Sequence, residues 1–170
     1  MRCAQLSHKV FPRQRDLVLK RKVCEYHPRV YGKEDHMATI TSVELRIRTA
    51  DTTDAGTDGD VFLGFGGREF FVDSGGDDFA RGADRVYIFG ENANVLRPDE
   101  NDPRSPLPID SNELSRFPIY LRLAAGAGMD WHIGLVHLVA RFPNSSVTLS
   151  RLEGNANIWL GWKRGLYLYL

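Results

Sequence analysis

From Ala38 to Leu170 the chain is cut by Gly-, Asp- and Pro-rich turns into short apolar runs, and no amphipathic stretch is long enough to compete as a stable helix. That one feature leaves little besides an all-β fold. Val43-Glu44-Leu45-Arg46-Ile47-Arg48 alternates apolar and charged residues, as a half-buried strand must when successive side chains point to opposite faces. Asp60–Phe65 and Glu69–Val72 flank Gly66-Gly67, a two-residue hairpin signal, because tight hairpin turns need positive φ. Arg85–Phe89, Pro118–Leu123, Trp131–Phe142, Ser146–Leu152, Asn157–Trp162 and Leu166–Leu170 complete the set of expected strands. The Trp131–Phe142 run is nearly continuous in apolar residues and predicts a central strand buried on much of both faces. Asn157–Leu170 reads as an added hairpin turning at Lys163-Arg164-Gly165. The Pro- and Asp-rich stretch 92–115 is too long for an ordinary connection and marks a functional loop or a missed element. The expected fold is a β-sandwich or barrel over 37–170.

Charge divides the chain. The 22 basic and 22 acidic residues cancel, yet residues 1–36 carry nine basic and four acidic side chains, a balance of +5 that leaves −5 for the rest. Segment 1–36 is expected to be a disordered leader or a non-native extension, with Met37 as an alternative start and Asp16–Tyr26 as its one candidate helix. A basic arm for anionic lipid or nucleic acid is the functional alternative for this segment. Overall neutrality argues against a dedicated nucleic-acid binder. No run reaches the ~18 apolar residues of a membrane-spanning helix, and basic residues interrupt any apolar core of a signal peptide, so a cytoplasmic location is expected. Cys3 and Cys24, the two thiols, have no metal-ligand spacing.

The chemistry concentrates in two loops. Thr49–Asp60 and Asp73–Phe79 together hold Asp51, Asp54, Asp58, Asp60, Asp73, Asp77 and Asp78 and no Lys or Arg. One precedes and the other follows the predicted Gly66-Gly67 hairpin, which puts both at the same end of a sandwich. Gathered carboxylates repel, and a hard cation relieves the repulsion. Ca2+ accepts six to eight oxygen ligands in flexible geometry, whereas Mg2+ is stricter, so calcium is the expected ion if one is bound. Asp and Gly are also what ordinary turns are made of, and turn chemistry is the competing reading.

These two loops resemble the PLAT domain, also called LH2, found in lipoxygenases, pancreatic lipase and clostridial phospholipase C toxins. Ala55-Gly56-Thr57-Asp58 matches the family's early Ala-Gly-Thr-Asp turn, Asp77-Asp78-Phe79-Ala80-Arg81-Gly82 its Asn/Asp-Asp-Phe-x-x-Gly stretch, and Trp131 a Trp opening a late strand. The resemblance covers Ser42 to about Phe142 and implies a sandwich of two antiparallel four-stranded sheets without an active site. It implies Ca2+ ligands at Asp54, Gly56, Thr57 and Asp58, at Asp73, Gly76, Asp77 and Asp78, and at Asp130. It also implies engagement of membrane lipid or a protein partner. The chain departs from lipoxygenase-type members at Thr53 or Asp54, where an aromatic tip would stand, and at Ala80, where a Glu ligand would stand.

No enzyme is expected. Gly-x-Ser-x-Gly, His-Glu-x-x-His, Walker and dinucleotide motifs are absent from the sequence. His132 and His137, five apart on one predicted strand, are expected on opposite faces and hence not on one metal. Trp159, Trp162, Tyr167 and Tyr169 make the C-terminus aromatic, either as packing or as a strip for carbohydrate, in which case glycan is the ligand and calcium is structural.

Overall fold

The computed structural model describes residues 38–124, 130–153 and 158–170. The expected leader, its candidate helix and Met37 lie outside the described residues. The strands are β1 (Ser42–Thr49), β2 (Asp60–Phe65), β3 (Arg68–Phe71), β4 (Asp84–Gly90), β5 (Tyr120–Ala124), β6 (Trp131–Phe142), β7 (Ser145–Leu152), β8 (Ile158–Leu160) and β9 (Tyr167–Tyr169), with one short helix, α1 (Glu113–Arg116). They form two antiparallel sheets, the sandwich rather than the barrel of the two folds that the turn pattern allows, with five and four strands where the resemblance implies four and four. One runs β4-β1-β6-β7 with β8 also on β6, and the other runs β3-β2-β5-β9.

Inward residues of both sheets make one core. Val43, Leu45 and Ile47 of β1 meet Val61, Leu63 and Phe65 of β2 and Leu121 and Leu123 of β5 within the same buried cluster. The hairpin Gly66 and Gly67 have φ of 56° and 76°, the left-handed pair that lets Phe65 register directly with Arg68. β6 is central, paired to β1 along one edge, to β7 at Val136–Phe142 and to β8 at Trp131–Ile133.

Three details differ from the sequence expectation. The register of β6 on β1 slips where Arg48 pairs Leu135 and Thr49 pairs Ile133, so Gly134 is passed over. This bulge changes the phase of the alternation: Trp131 and Ile133, then Val136, Leu138 and Ala140, all point inward. His132 and His137 therefore lie on the same, outer side of the strand, not on opposite faces. They stay apart because His137 registers with Arg46 and Arg151, while His132 sits at the acidic end described below. Second, residues 158–170 are no added hairpin. β8 joins one sheet and β9 the other, and among the described residues only Gly161 and Gly165 bridge between them. Third, the long 92–115 stretch is ordered by buried side chains. Asn101 accepts the Phe71 N–H at 2.7 Å and donates to the carbonyls of Leu96 and Arg97, while Ile109 is inside the core. No helix among the described residues is long and apolar enough to cross a membrane.

Candidate functional site: a divided acidic end

The loop before β2 and the loop after β3 lie together, and backbone contacts lock them. Thr57 N–H donates to the Phe79 carbonyl at 3.3 Å, Gly82 N–H to Ala50, Ala50 N–H to the His132 carbonyl and His132 N–H to the Ala55 carbonyl. The first loop is thus clamped between the second loop and the start of β6. A Cβ on Gly56 would lie 3.1 Å from both Arg81 N and Phe79 O, so a side chain there would push the two backbones apart. Asp54 enters this segment at φ 59°, a left-handed conformation that Asp tolerates better than most residues. Beneath the loops, the buried Trp131 indole N–H donates to Thr49 Oγ1 at 2.9 Å and the ring packs edge-on to Phe79 at 5.0 Å. The Trp, the Ala-Gly turn and the Asp-Phe stretch are therefore one packed unit.

The clamped Ala55-Gly56 backbone divides the acidic residues. Thr57, Asp58, Asp60, Asp73, Gly76, Asp77 and Asp78 line a cleft of about 360 Å3 that holds five carboxylates and no basic side chain. Asp54, Gly56 and Asp130 instead line a second depression of about 810 Å3, with Thr53, Trp159, Trp162, Lys163 and Arg164. The nine residues implied as ligands are all at this end, but they fall into two groups.

Within the cleft the carboxylates have different jobs. Asp78, nearly buried, accepts the Ser74 N–H at 2.5 Å and the Ser74 hydroxyl at 2.6 Å, so its two oxygens brace the loop. Asp73 uses one oxygen for the Gly75 N–H at 2.7 Å, an Asx turn. Asp58, Asp60 and Asp77 are exposed and have no hydrogen-bond or ion-pair partner among the described residues. The lining side chains offer carboxylate oxygens, hard donors that suit Ca2+ in kind. Among the described residues, no three acidic, His or Cys side chains stand close enough to hold an ion. Tyr87, fully buried and stacked on Phe79, has no hydrogen-bond partner for its hydroxyl among the described residues. Burial first, and the negative charge of Asp78 second, push its pKa above the ordinary tyrosine range.

Sequence reasoning missed the cations around this end. Arg81 pairs with Asp51 at 2.7 Å, and Arg164 pairs with Asp130 at 3.0 Å. The signal for the second was present in the basic Lys163-Arg164 turn, but only the pairing of β8 with Trp131–Ile133 brings that turn beside Asp130. The aromatic C-terminus is also split. Trp159 and Trp162 line the second depression, whereas on the other sheet Tyr167 and Tyr169 stack on each other at 6.4 Å and meet the Tyr120 ring at steep angles, 5.4 and 6.0 Å away.

Comparison with known proteins gives structural matches only. No family model matches the sequence, and no curated protein matches it. Among solved structures, the chain is similar to the alpha toxin of Clostridium absonum, at 17% identity and a TM-score of 0.43 over 70% of this chain and 33% of the toxin. It is also similar to the alpha-toxin of an avian strain of Clostridium perfringens, at 18% identity and a TM-score of 0.41 over 71% of this chain and 32% of the toxin. The chain spans about a third of each toxin chain.

Proposed function

We propose that the sandwich is a non-catalytic, PLAT-like binding module that takes Ca2+ in the cleft between residues 57–60 and 73–78 and engages anionic lipid headgroups there. The carrying observation is the cleft itself, with five carboxylates, oxygen donors alone and no internal cation. No three of the carboxylates converge on one point as they stand, so the ion would be held by one or two of the unpaired Asp58, Asp60 and Asp77, with backbone carbonyls of the same loops and water supplying the other oxygens. Asp78 shapes the loop they stand on. Bound there, calcium would turn a repulsive negative cleft into one that accepts a phosphate oxygen. Leu96, 43% exposed, lies beside Gly75 in the second loop and offers a small apolar contact at the same rim.

Two linked measurements test this. Thermal unfolding at constant ionic strength is compared in EDTA, Ca2+ and Mg2+. At 100 times its Kd, a ligand stabilises by about 2.7 kcal/mol, a shift of several degrees for a domain of this size. The expected result is a calcium-selective rise that Asp58→Asn and Asp77→Asn each reduce, together with calcium-dependent sedimentation on phosphatidylserine vesicles and none on phosphatidylcholine. A melting temperature indifferent to calcium sinks the reading. A rise without vesicle binding moves the ligand from lipid to a protein partner.

A second reading is favoured by the exposed aromatic pair Tyr167 and Tyr169, 50% and 68% exposed on the outer face of the β3-β2-β5-β9 sheet. Such a face can stack a sugar ring, and retention on immobilised glycan that survives EDTA would select it over the acidic cleft.

A further inference from the structure

The two halves of the acidic end have opposite charge balances. The cleft at 57–60 and 73–78 holds five carboxylates and no cation. The depression beside it holds two carboxylates, Asp54 and Asp130, and two cations, Lys163 and Arg164. A divalent ion would find its charge already supplied there.

The cation is built in. The Arg164 Nε donates to Asp130 Oδ2 at 3.0 Å. Its guanidinium lies 4.9 Å from the Trp159 ring centre, and Trp159 stacks on His132 at 4.4 Å and 16°. His132 Nδ1 is 3.0 Å from the hydroxyl of Thr52, in the first acidic loop. One continuous stack thus ties the basic turn to the loop whose charge it offsets. The turn itself is held by Gly161 N–H on the Gly165 carbonyl and by Arg164 N–H and Gly165 N–H on the Gly161 carbonyl. Gly161 backs directly onto Asp130, where any Cβ would overlap the carboxylate. A permanently charged, planar guanidinium that is also stacked on an indole is well suited to such a fixed post.

We infer that Arg164 is a tethered counter-cation for Asp130 and keeps divalent metal out of the Asp54–Asp130 depression. It corrects the ligand set implied by the family resemblance: Asp54, Gly56 and Asp130 take no part in binding calcium in this chain. Where the acidic cleft binds calcium as proposed above, it does so alone; the exclusion at Asp130 does not depend on that reading.

Calorimetric titration of Ca2+ into the full chain and into Asp130→Asn, Arg164→Gln, Arg164→Lys and the Arg164→Gln/Asp130→Asn double variant tests it. Circular dichroism first establishes that each is folded, which half-exposed Arg164 and the isosteric Asn favour. Asp130→Asn and Arg164→Lys are expected to bind the same number of calcium equivalents as the parent. Arg164→Gln is expected to gain one equivalent, which the double variant loses. Loss of an equivalent in Asp130→Asn alone, or no gain in Arg164→Gln, overturns the inference. If the parent binds no calcium, the acidic-cleft reading fails by itself, and the gain or its absence in Arg164→Gln still decides this one.

Discussion

Thr49→Val is the sharpest probe of how the core carries the acidic end. Thr49 is 1% exposed, and its hydroxyl accepts the indole N–H of fully buried Trp131 at 2.9 Å. The same hydroxyl reaches the Phe79 carbonyl at 3.4 Å, at the weak end of the hydrogen-bond range. Valine has nearly the same shape, so packing is kept and one polar atom is lost. The indole N–H is then buried without a partner, at a cost of about 1–3 kcal/mol. The new methyl returns up to about 0.8 kcal/mol of apolar burial. The net loss is roughly 0.2–2.2 kcal/mol and centres near 1 kcal/mol, or about 2–4 °C in Tm at 2–4 °C per kcal/mol. Trp131→Phe removes the donor, so in that background Thr49→Val should cost close to nothing. Urea unfolding followed by far-UV circular dichroism on the parent, both single variants and the double gives the coupling energy directly. Equal costs of Thr49→Val in both backgrounds would refute the reasoning, because the hydroxyl would then not be serving the indole.

Tyr87→Phe should stabilise the domain, against the usual direction of core substitutions, because it deletes a buried hydroxyl with no partner among the described residues and keeps the ring stacked on Phe79. A rise of about 2 °C or more in thermal unfolding is expected, and a fall would mean that the hydroxyl is satisfied in solution. Acid should weaken the fold through three carboxylates held below their ordinary pKa chiefly by a hydrogen-bonded arginine: Glu69 by Arg122, Asp84 by Arg46 and Asp102 by Arg104. A depressed folded-state pKa gives stability that is full above the unfolded value, near pH 4, and lost as pH falls through the folded value. Urea midpoints measured downward from pH 5 should therefore decline, and Glu69→Gln or Asp102→Asn should flatten the decline; an unchanged slope would dismiss these pairs as contributors.

The strands were legible because their signal is local. Alternation in Val43–Arg48 and the Gly66-Gly67 turn fix direction, face and register without reference to the rest of the chain. The C-terminal segment was not, because which sheet a three-residue strand joins depends on which edge is free. β8 takes the part of β6 that β7 leaves unpaired, and β9 takes the free edge of β5. The bulge at Gly134 was marked by a glycine in a strand, but its phase shift becomes visible only against Arg48 and Thr49 on the neighbouring strand. The acidic loops were found by composition, and their shared location followed from the hairpin. Their division did not, since it arises where Gly56 passes within van der Waals reach of the Phe79–Arg81 backbone.

That division changes how the charge of the loops should be understood. By composition they are seven carboxylates without a counter-ion. In the fold, Asp51 is paired by Arg81 from the second loop's far side, and Asp73 and Asp78 are committed to N–H and hydroxyl donors of their own turn. The pairing of Asp130 by Arg164 then neutralises the neighbouring depression, so the uncompensated charge is concentrated on Asp58, Asp60 and Asp77 around a single cleft. Physiological salt screens exposed charges over roughly 8 Å, so monovalent ions relieve their repulsion within one cleft only in part. A divalent ion in direct contact relieves it far more, and it gains nothing comparable where a guanidinium already sits. Turn chemistry and ion binding are thus not rival accounts of the same residues: Asp73 and Asp78 build the turn, and the turn holds out the carboxylates that have no other partner.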